Sequence, residues 1–490
     1  MNIPATDSRF LSQCECEALH LSGAIQPHGG LLVADTTGRV THASVNIDQF
    51  LGGPPETWIG ADLPGDAADR VAALPLKPGS RNTGVLIVDT KVFDSVITRG
   101  ERGAILLEVT RQVDDRCVDS LPSYLPPDAV PADSAGMQAI ERALVERIAD
   151  LTGFQRVMYY RFREDGDGEV IAEARRGEAY GSYLGLRYPA SDIPQIARAL
   201  YLKNPWRMIP DAAANAVPIT GQLHAPDLSY SDLRSVSPVH QAYLANMGVG
   251  ASLSFPLVQR GELVALIAAH HRERRYLPPA TLSHTTALVR NHALTCSRFL
   301  AQISMQTVDG FLHRFNALKP LLREADGYRT HWPQLAQWLL KEFAADGIYL
   351  CLNEVCLQAG KVADEDTIER LGTWFSGRQE VVSDCDSLKR LAGIHAGVGI
   401  DGVLALRTPL PGRRELQLYL TRREYVHEVA WGGNPHKPVE SSHGDLGLSP
   451  RRSFDKWVEN RRDYCRPWSR SERLLALKLR DFLRKEITLP

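Results

Sequence analysis

Apolar and polar positions change period repeatedly along this chain, which predicts a mixed helix-and-strand fold. Residues 31–34 are an apolar run, 35–38 read Asp-Thr-Thr-Gly, and 39–44 return with alternation, so a hairpin is expected there. Strand signals recur at 84–89 and 104–111, and a Pro/Asp/Ser-rich stretch at 121–134 ends the series. The period then lengthens: Ile140, Leu144, Ile148 and Leu151 share one helical face and Gly153 lies just beyond, which predicts a helix over about 135–151. Strands at 156–162 and 169–174 flank an Asp/Gly turn, and a further pair is expected at 252–258 and 262–269. Pro278 and Pro279 precede a helical pattern over about 281–318, long enough for a domain-spanning spine and a dimer contact.

The last third repeats the mixture. A helix is expected at 332–343, with strands at 347–352, 402–407 and 415–421, where Leu416, Leu418 and Leu420 alternate onto one face. Regularity then fails over 429–454. This Gly-, Pro- and His-rich run keeps Trp431, Leu446, Leu448 and Phe454, with Trp457 just beyond, so it needs something to cover it. Leu475, Leu479 and Phe482 mark a closing amphipathic helix at 473–487. The pattern as a whole reads as α+β, with antiparallel sheets and helices beside them.

Length changes the picture by setting a domain count: 490 residues suit about three domains. A hydrophobic share of 44% and a net charge of −2 are those of a globular protein with no bulk attraction for nucleic acid. No apolar run approaches a membrane span, and the first residues lack the pattern of a secretory leader. Eight scattered cysteines imply a reducing, cytoplasmic setting. Cys14 and Cys16 lack a second Cys/His pair at zinc spacing, and Asp165-Gly-Asp-Gly168 lacks the spacing and terminal Glu of a calcium loop, so no metal is expected.

One stretch stands out, Tyr188-Pro-Ala-Ser-Asp-Ile-Pro194 followed by Gln-Ile-Ala-Arg-Ala-Leu-Tyr201. A residue before proline avoids the helical region, so a turn is expected to enter a helix, with Ser191 or Asp192 as cap and Pro194 in its first turn. The string resembles the PASDIP segment of phytochromes. Cys14-Glu-Cys-Glu and the following Gly-Ala-Ile-Gln-Pro-His-Gly29 are similar to the N-terminal pattern of that family. Trp431-Gly-Gly433 and Pro450-Arg451-Arg452-Ser453-Phe454 look like the tongue of its PHY domain.

The resemblance covers essentially the whole chain. It implies a bacterial-phytochrome photosensory module: an N-terminal segment (1–17), PAS (18–118), a linker (119–131), GAF (132–300), a connecting helix (301–318) and PHY (319–490), with a tongue at about 424–457. It implies a biliverdin chromophore in thioether linkage to Cys14, with Cys16 as a competing neighbour. It places Asp192, with Ile193 and Pro194, beside the pyrrole nitrogens, His240 under the rings, and His270 at a propionate or the ring-D carbonyl. Tyr201 matches a propionate contact, and Tyr160, Tyr183, Tyr188 and Tyr243 match the surroundings of ring D. Arg207 and Arg234 suit the propionates, since a guanidinium grips a carboxylate through two parallel bonds, and Ser237, Ser252 and Ser254 add hydroxyls.

As switch residues the resemblance gives Trp431, Ser453 and Arg451, the last paired with Asp192; Arg452 is the adjacent alternative. The implied function is a red/far-red photoreceptor whose bilin isomerises and whose tongue and helices relay the change to a C-terminal output. A homodimer through the long helices is expected, and the output partner is not identified. No kinase or cyclase segment is seen, so the chain by itself is not expected to be an enzyme. Three rivals remain: a light-independent GAF-type sensor of a ligand or of redox state, a tetrapyrrole-processing enzyme, and a fragment of a full-length light-regulated histidine kinase.

Overall fold

A computed structural model describes residues 18–113, 129–177, 181–324, 326–352, 355–391, 399–410, 414–435 and 454–487. Cys14, Cys16, Arg451, Arg452 and Ser453, together with Leu446 and Leu448, lie outside the described residues. The chain packs as two units. One holds the described residues up to Arg298 and those of Ala430–Trp457; the other holds Phe299–Val429 and the residues from Val458 onward. Among the described residues no helix is long and apolar enough to cross a membrane.

The first unit contains a seven-stranded sheet. Its spatial order is Ala24–Ile25, Val217–Gly221, Val40–Ser44, Gly29–Ala34, Ile105–Arg111, Lys91–Arg99, Arg81–Val88, with antiparallel pairing throughout. The expected hairpin is there. Asp35 Oδ1 accepts from the N–H groups of Thr37 and Arg39 and closes its turn. Three strands of this sheet were not expected from the sequence, the two-residue Ala24–Ile25 among them. Lys91–Arg99 buries both faces over its second half and so does not alternate. Val217–Gly221 comes from far along the chain yet inserts between strands of the first hundred residues. Leu228 and Leu233, which follow it, pack on Ile25, Leu31 and Leu106. Those contacts join residues 18–113 to the segment beyond 129 in one unit.

A second sheet follows the order Arg207–Ile209, Ala251–Gln259, Glu262–His271, Arg156–Phe162, Gly168–Arg175, Arg187–Tyr188. Alternate side chains of a strand face opposite sides. Val157, Tyr159, Phe255 and Ile267 therefore share a core with Val145, Ile148 and Ala149 of the helix Ser134–Thr152. That helix starts on the Asp133 carboxylate, which accepts from Gly136 N–H, and ends at Gly153 in the left-handed region (φ 63°). Met158, Tyr160, Val170 and Leu266 face the other way, toward the candidate site.

In the second unit the order is Val355–Gly360, Gly347–Leu352, Arg414–Arg423, Ile400–Leu410, Val382–Cys385. Leu416, Leu418 and Leu420 are buried on one face, as their spacing predicts, against the helices Trp332–Glu342 and Arg470–Glu486. The closing helix starts three residues earlier than expected, on a Ser469/Glu472 capping box. The helix Glu365–Ser376 covers the opposite face through Leu371 and Phe375 and was not anticipated. The expected long helix spans Pro279–Asn316.

Candidate functional site

The site is built on the segment after strand Arg187–Tyr188. Ala190–Asp192 makes one 3₁₀ turn, Ile193 is extended (φ −130°, ψ 88°), and the helix Gln195–Lys203 begins after Pro194. The expected cap is corrected here: no side chain caps this helix, and Pro194, at ψ 159°, is itself the N-cap residue. Proline fixes φ but not ψ, and the extended ψ of Pro194 leaves Gln195 as the first helical residue. The Asp192 carboxylate instead accepts from the Tyr243 hydroxyl at 3.1 Å. Tyr243 in turn lies parallel to His240 with ring centroids 6.2 Å apart.

Arg198, on the new helix, holds the turn. Its guanidinium donates to the carbonyls of Ile193 (2.8 Å), Gly166 (2.8 Å) and Ala190 (3.3 Å) and lies over the Phe162 ring. Asp167 Oδ1 accepts from Ala190 N–H at 3.1 Å. The sequence pattern gave Arg198 no role beyond its place in the string before Tyr201.

A cavity of about 260 Å³ opens beside this turn, close to the lower edge of the usual range for small-molecule sites, about 300–1,000 Å³. Asp192, Ile193, Pro194 and Tyr201 wall one side. Tyr160, Tyr183 and Tyr188 wall another, and Ser252, Ser254 and His270 come from the paired strands. Arg207, Arg234, Ser237, His240 and Tyr243 complete it. All of these were singled out from the sequence. Trp431 is buried but lies away from the cavity wall; its main chain pairs in parallel with Arg187.

Burial dominates the electrostatics. His240 is pushed down to about 4, first by burial and then by Arg207, and His270 to about 3 by burial, Arg156 and His240. Both imidazoles are therefore neutral at pH 7. Arg234 falls to about 9 through burial and the neighbouring Arg207. Among the described residues neither guanidinium has a carboxylate partner. Arg207 donates to the carbonyls of Asp232 (3.2 Å) and Ser235 (3.0 Å), and Arg234 Nη1 to that of Leu228 (3.4 Å). The Asp232 carboxylate is taken by Arg81 at 2.7 Å. Glu108, reaching from the other sheet, accepts from Ser231 Oγ (2.5 Å) and Leu233 N–H (2.8 Å), which positions the loop carrying Arg234.

Several supporting residues were missed. Arg156 pairs with Glu173 at 3.0 Å and lies 3.8 Å from the Tyr183 ring centroid. Glu173 also accepts from Tyr183 N–H at 3.1 Å, so this pair holds one wall of the cavity. Gly168 was read as a turn residue. A Cβ there would lie 1.8 Å from Tyr160 Cζ, so only glycine leaves room for that ring. Gly432 plays the same part for Tyr188, whose ring carbon would lie 2.5 Å from an added Cβ, and Gly433 has φ 92°. Beyond the undescribed residues, Phe454 meets the Tyr243 ring edge-on at 5.1 Å. Gly432 and Phe454 thus both lie against the cavity's aromatic wall.

Three family profiles match this chain: a phytochrome region over residues 318–489, a GAF domain over 137–298 and a PAS fold over 14–76. The bacteriophytochrome of Xanthomonas campestris pv. campestris is 30% identical over 95% of this chain and 77% of its own length. This chain belongs to the phytochrome family. It has the PAS-GAF-PHY photosensory organisation of the bacterial members. The bacteriophytochrome of Pseudomonas aeruginosa is 32% identical over 96% of the chain, and the chain spans 66% of its length. The photosensory core module of the Stigmatella aurantiaca phytochrome superposes with a TM-score of 0.77 at 32% identity, over 96% of both chains. A bacteriophytochrome from R. palustris gives a TM-score of 0.78 at 26% identity, over 96% of this chain and 98% of that one.

Proposed function

We propose that this phytochrome is a red/far-red photoreceptor that carries biliverdin covalently at Cys14 in the GAF-region cavity. The observation that carries the proposal is the wall itself. Two guanidiniums with no carboxylate partner among the described residues, two neutral imidazoles and an aromatic box meet in one cavity. A flat molecule with two carboxylates and a row of N–H groups suits that donor set. Two buried atoms support the fit: Tyr188 Oη and His270 Nδ1 have no hydrogen-bond partner among the described residues, and such atoms ordinarily find one.

Bound there, biliverdin would supply red-light absorption and a bridge that isomerises. Arg207 and Arg234, with Tyr201, Ser237, Ser252 and Ser254, would hold its carboxylates. Asp192 and His240 would face its N–H groups, and Tyr160, Tyr183 and Tyr188 would enclose one end ring, with His270 donating or accepting at its rim. Leu19 lines the cavity and follows Cys14 and Cys16 by five and three residues, a chain length that lets either thiol reach the wall. The tongue would act as the switch, with Arg451 pairing to Asp192, Ser453 beside it and Trp431 anchoring its return. The change would pass along the helices of a cytoplasmic homodimer to an output partner.

The test is an absorption spectrum of the chain mixed with biliverdin, taken before and after red and then far-red light, with a denatured sample checked for retained pigment. Reversible interconversion with retention in the wild type and in Cys16→Ser, and loss of retention in Cys14→Ser, is the expected result. Retention in Cys14→Ser that vanishes in Cys16→Ser would move the linkage. No retained pigment in any of the three would overturn the covalent assignment.

A further inference from the structure

Strands Gly347–Leu352 and Val355–Gly360 of the second unit pair with Leu352 opposite Val355. Only two residues separate them. In so tight a hairpin the pair flanking the turn exchanges hydrogen bonds and the next pair does not. That next pair is Cys351 opposite Cys356. Cα atoms of such a pair lie about 4.5 Å apart, inside the roughly 4.4–6.8 Å that a disulfide spans. The two thiols are already within hydrogen-bonding reach of each other and of the Tyr349 hydroxyl.

Their surroundings differ in a useful way. Cys356 is exposed, on the edge strand of the sheet, whereas Cys351 is half-buried. Burial, then Cys356 itself, pushes the Cys351 thiol up to about 12. The exposed member is therefore the one that meets a reagent from solvent.

We propose that Cys351 and Cys356 are a redox-sensitive dithiol that closes to a cross-strand disulfide with a peroxide as oxidant. The Cys356 thiolate attacks one oxygen of hydrogen peroxide. The O–O bond breaks, and the departing hydroxide joins the thiol's proton as water, leaving Cys356 as the sulfenic acid. The Cys351 sulfur then attacks the Cys356 sulfur, the S–O bond breaks, and the hydroxide leaves with the Cys351 proton as a second water. Two thiols have lost two electrons and one peroxide has gained them.

The bond encloses only the four residues between the cysteines, and stabilisation by a disulfide grows with the loop it closes. It is therefore a poor staple. An exposed bond of this kind belongs with the labile disulfides that thiols readily reopen. The other described cysteines are placed differently. Cys296 is buried against His292 at 3.3 Å, and Cys385 and Cys465 donate to the carbonyls of Ser387 and Arg466.

The test uses the full chain. It is treated with hydrogen peroxide, blocked with iodoacetamide and digested with trypsin without reductant. Both cysteines fall in the peptide between Lys341 and Lys361. The expected peptide carries no alkyl group and is two hydrogens lighter than the dithiol. Prior treatment with dithiothreitol should restore two alkyl groups, and Cys356→Ser should leave Cys351 alkylated. Two alkylated cysteines after peroxide, a sulfinic acid at Cys356, or a disulfide from either cysteine to a third would each overturn the proposal.

Discussion

Replacing Glu173 by Gln removes one charge from a pair that water cannot reach. The side chains of Arg156 and Glu173 are 0% and 3% exposed, with Nε and Oε1 3.0 Å apart. If the pair lay on the surface its loss would be worth less than about 1 kcal/mol. Buried, the Arg156 guanidinium loses the Glu173 charge at 3.0 Å, and removing one partner of a buried pair costs about 3–5 kcal/mol. Gln also turns an amide donor toward groups that themselves donate, Ser182 Oγ and Tyr183 N–H. At about 2–4 °C per kcal/mol for a domain of this size, the transition of the first unit should fall by roughly 6–20 °C. Thermal unfolding followed by circular dichroism reads this directly. Two controls separate charge burial from general damage. Arg175 lies 3.9 Å from Glu173 with its side chain 49% exposed, so Arg175→Met should change stability by less than about 1 kcal/mol. The double change Arg156→Met with Glu173→Met should recover most of the loss, because an apolar pair of similar volume is tolerated. A Glu173→Gln transition within about 2 °C of wild type, on the same scale, would refute the reasoning.

Acidification should destabilise the protein through its buried His270. The unfolded chain takes up a proton near 6.5, whereas folded His270 stays neutral down to about 3. The unfolded state binds more protons in that window, so stability is present above about 6.5 and lost as pH falls toward about 3. Urea titrations of His270→Gln should show a shallower loss over that window than wild type, and an unchanged slope would refute the assignment. Gly432→Ala should push the Tyr188 ring and cost about 1–3 kcal/mol locally, seen as faster amide exchange at 430–432 with other strands unaffected. Arg198→Met should strip three carbonyls of their donor; it is expected to weaken biliverdin retention and broaden the absorption band while the far-ultraviolet spectrum stays the same. A sharp, wild-type band in that variant would contradict its positioning role.

Local chemistry was readable wherever it repeats at short range. The alternating Leu416, Leu418 and Leu420, the helix from Ser134 ended by Gly153 and the hairpin closed by Asp35 all follow from spacing and turn residues. The cavity's residues were readable for another reason: they occur as strings whose order resembles a known family, and every described one of them reaches the wall. What supports them was not readable. Arg198, Arg156 and Glu173 are ordinary charged residues in ordinary patterns, and each acquires its role from a partner many positions away. Gly168 and Gly432 look like turn glycines until the rings of Tyr160 and Tyr188 are placed against them.

The sequence by itself therefore determined many of the elements and named the polar and aromatic side chains that mark the cavity, because periodicity and motif order are local properties of the chain. The tertiary structure decided three other things: that Val217–Gly221 completes a sheet begun at Ala24, that Glu108 and Arg81 fix the loop holding Arg234, and that the described residues of Ala430–Trp457 pack with those before Arg298. Each depends on contacts whose partners are far apart in sequence. Burial, too, is a property of those contacts, and burial is what keeps His270 neutral and lowers Arg234 beside the cavity that Arg207 also lines.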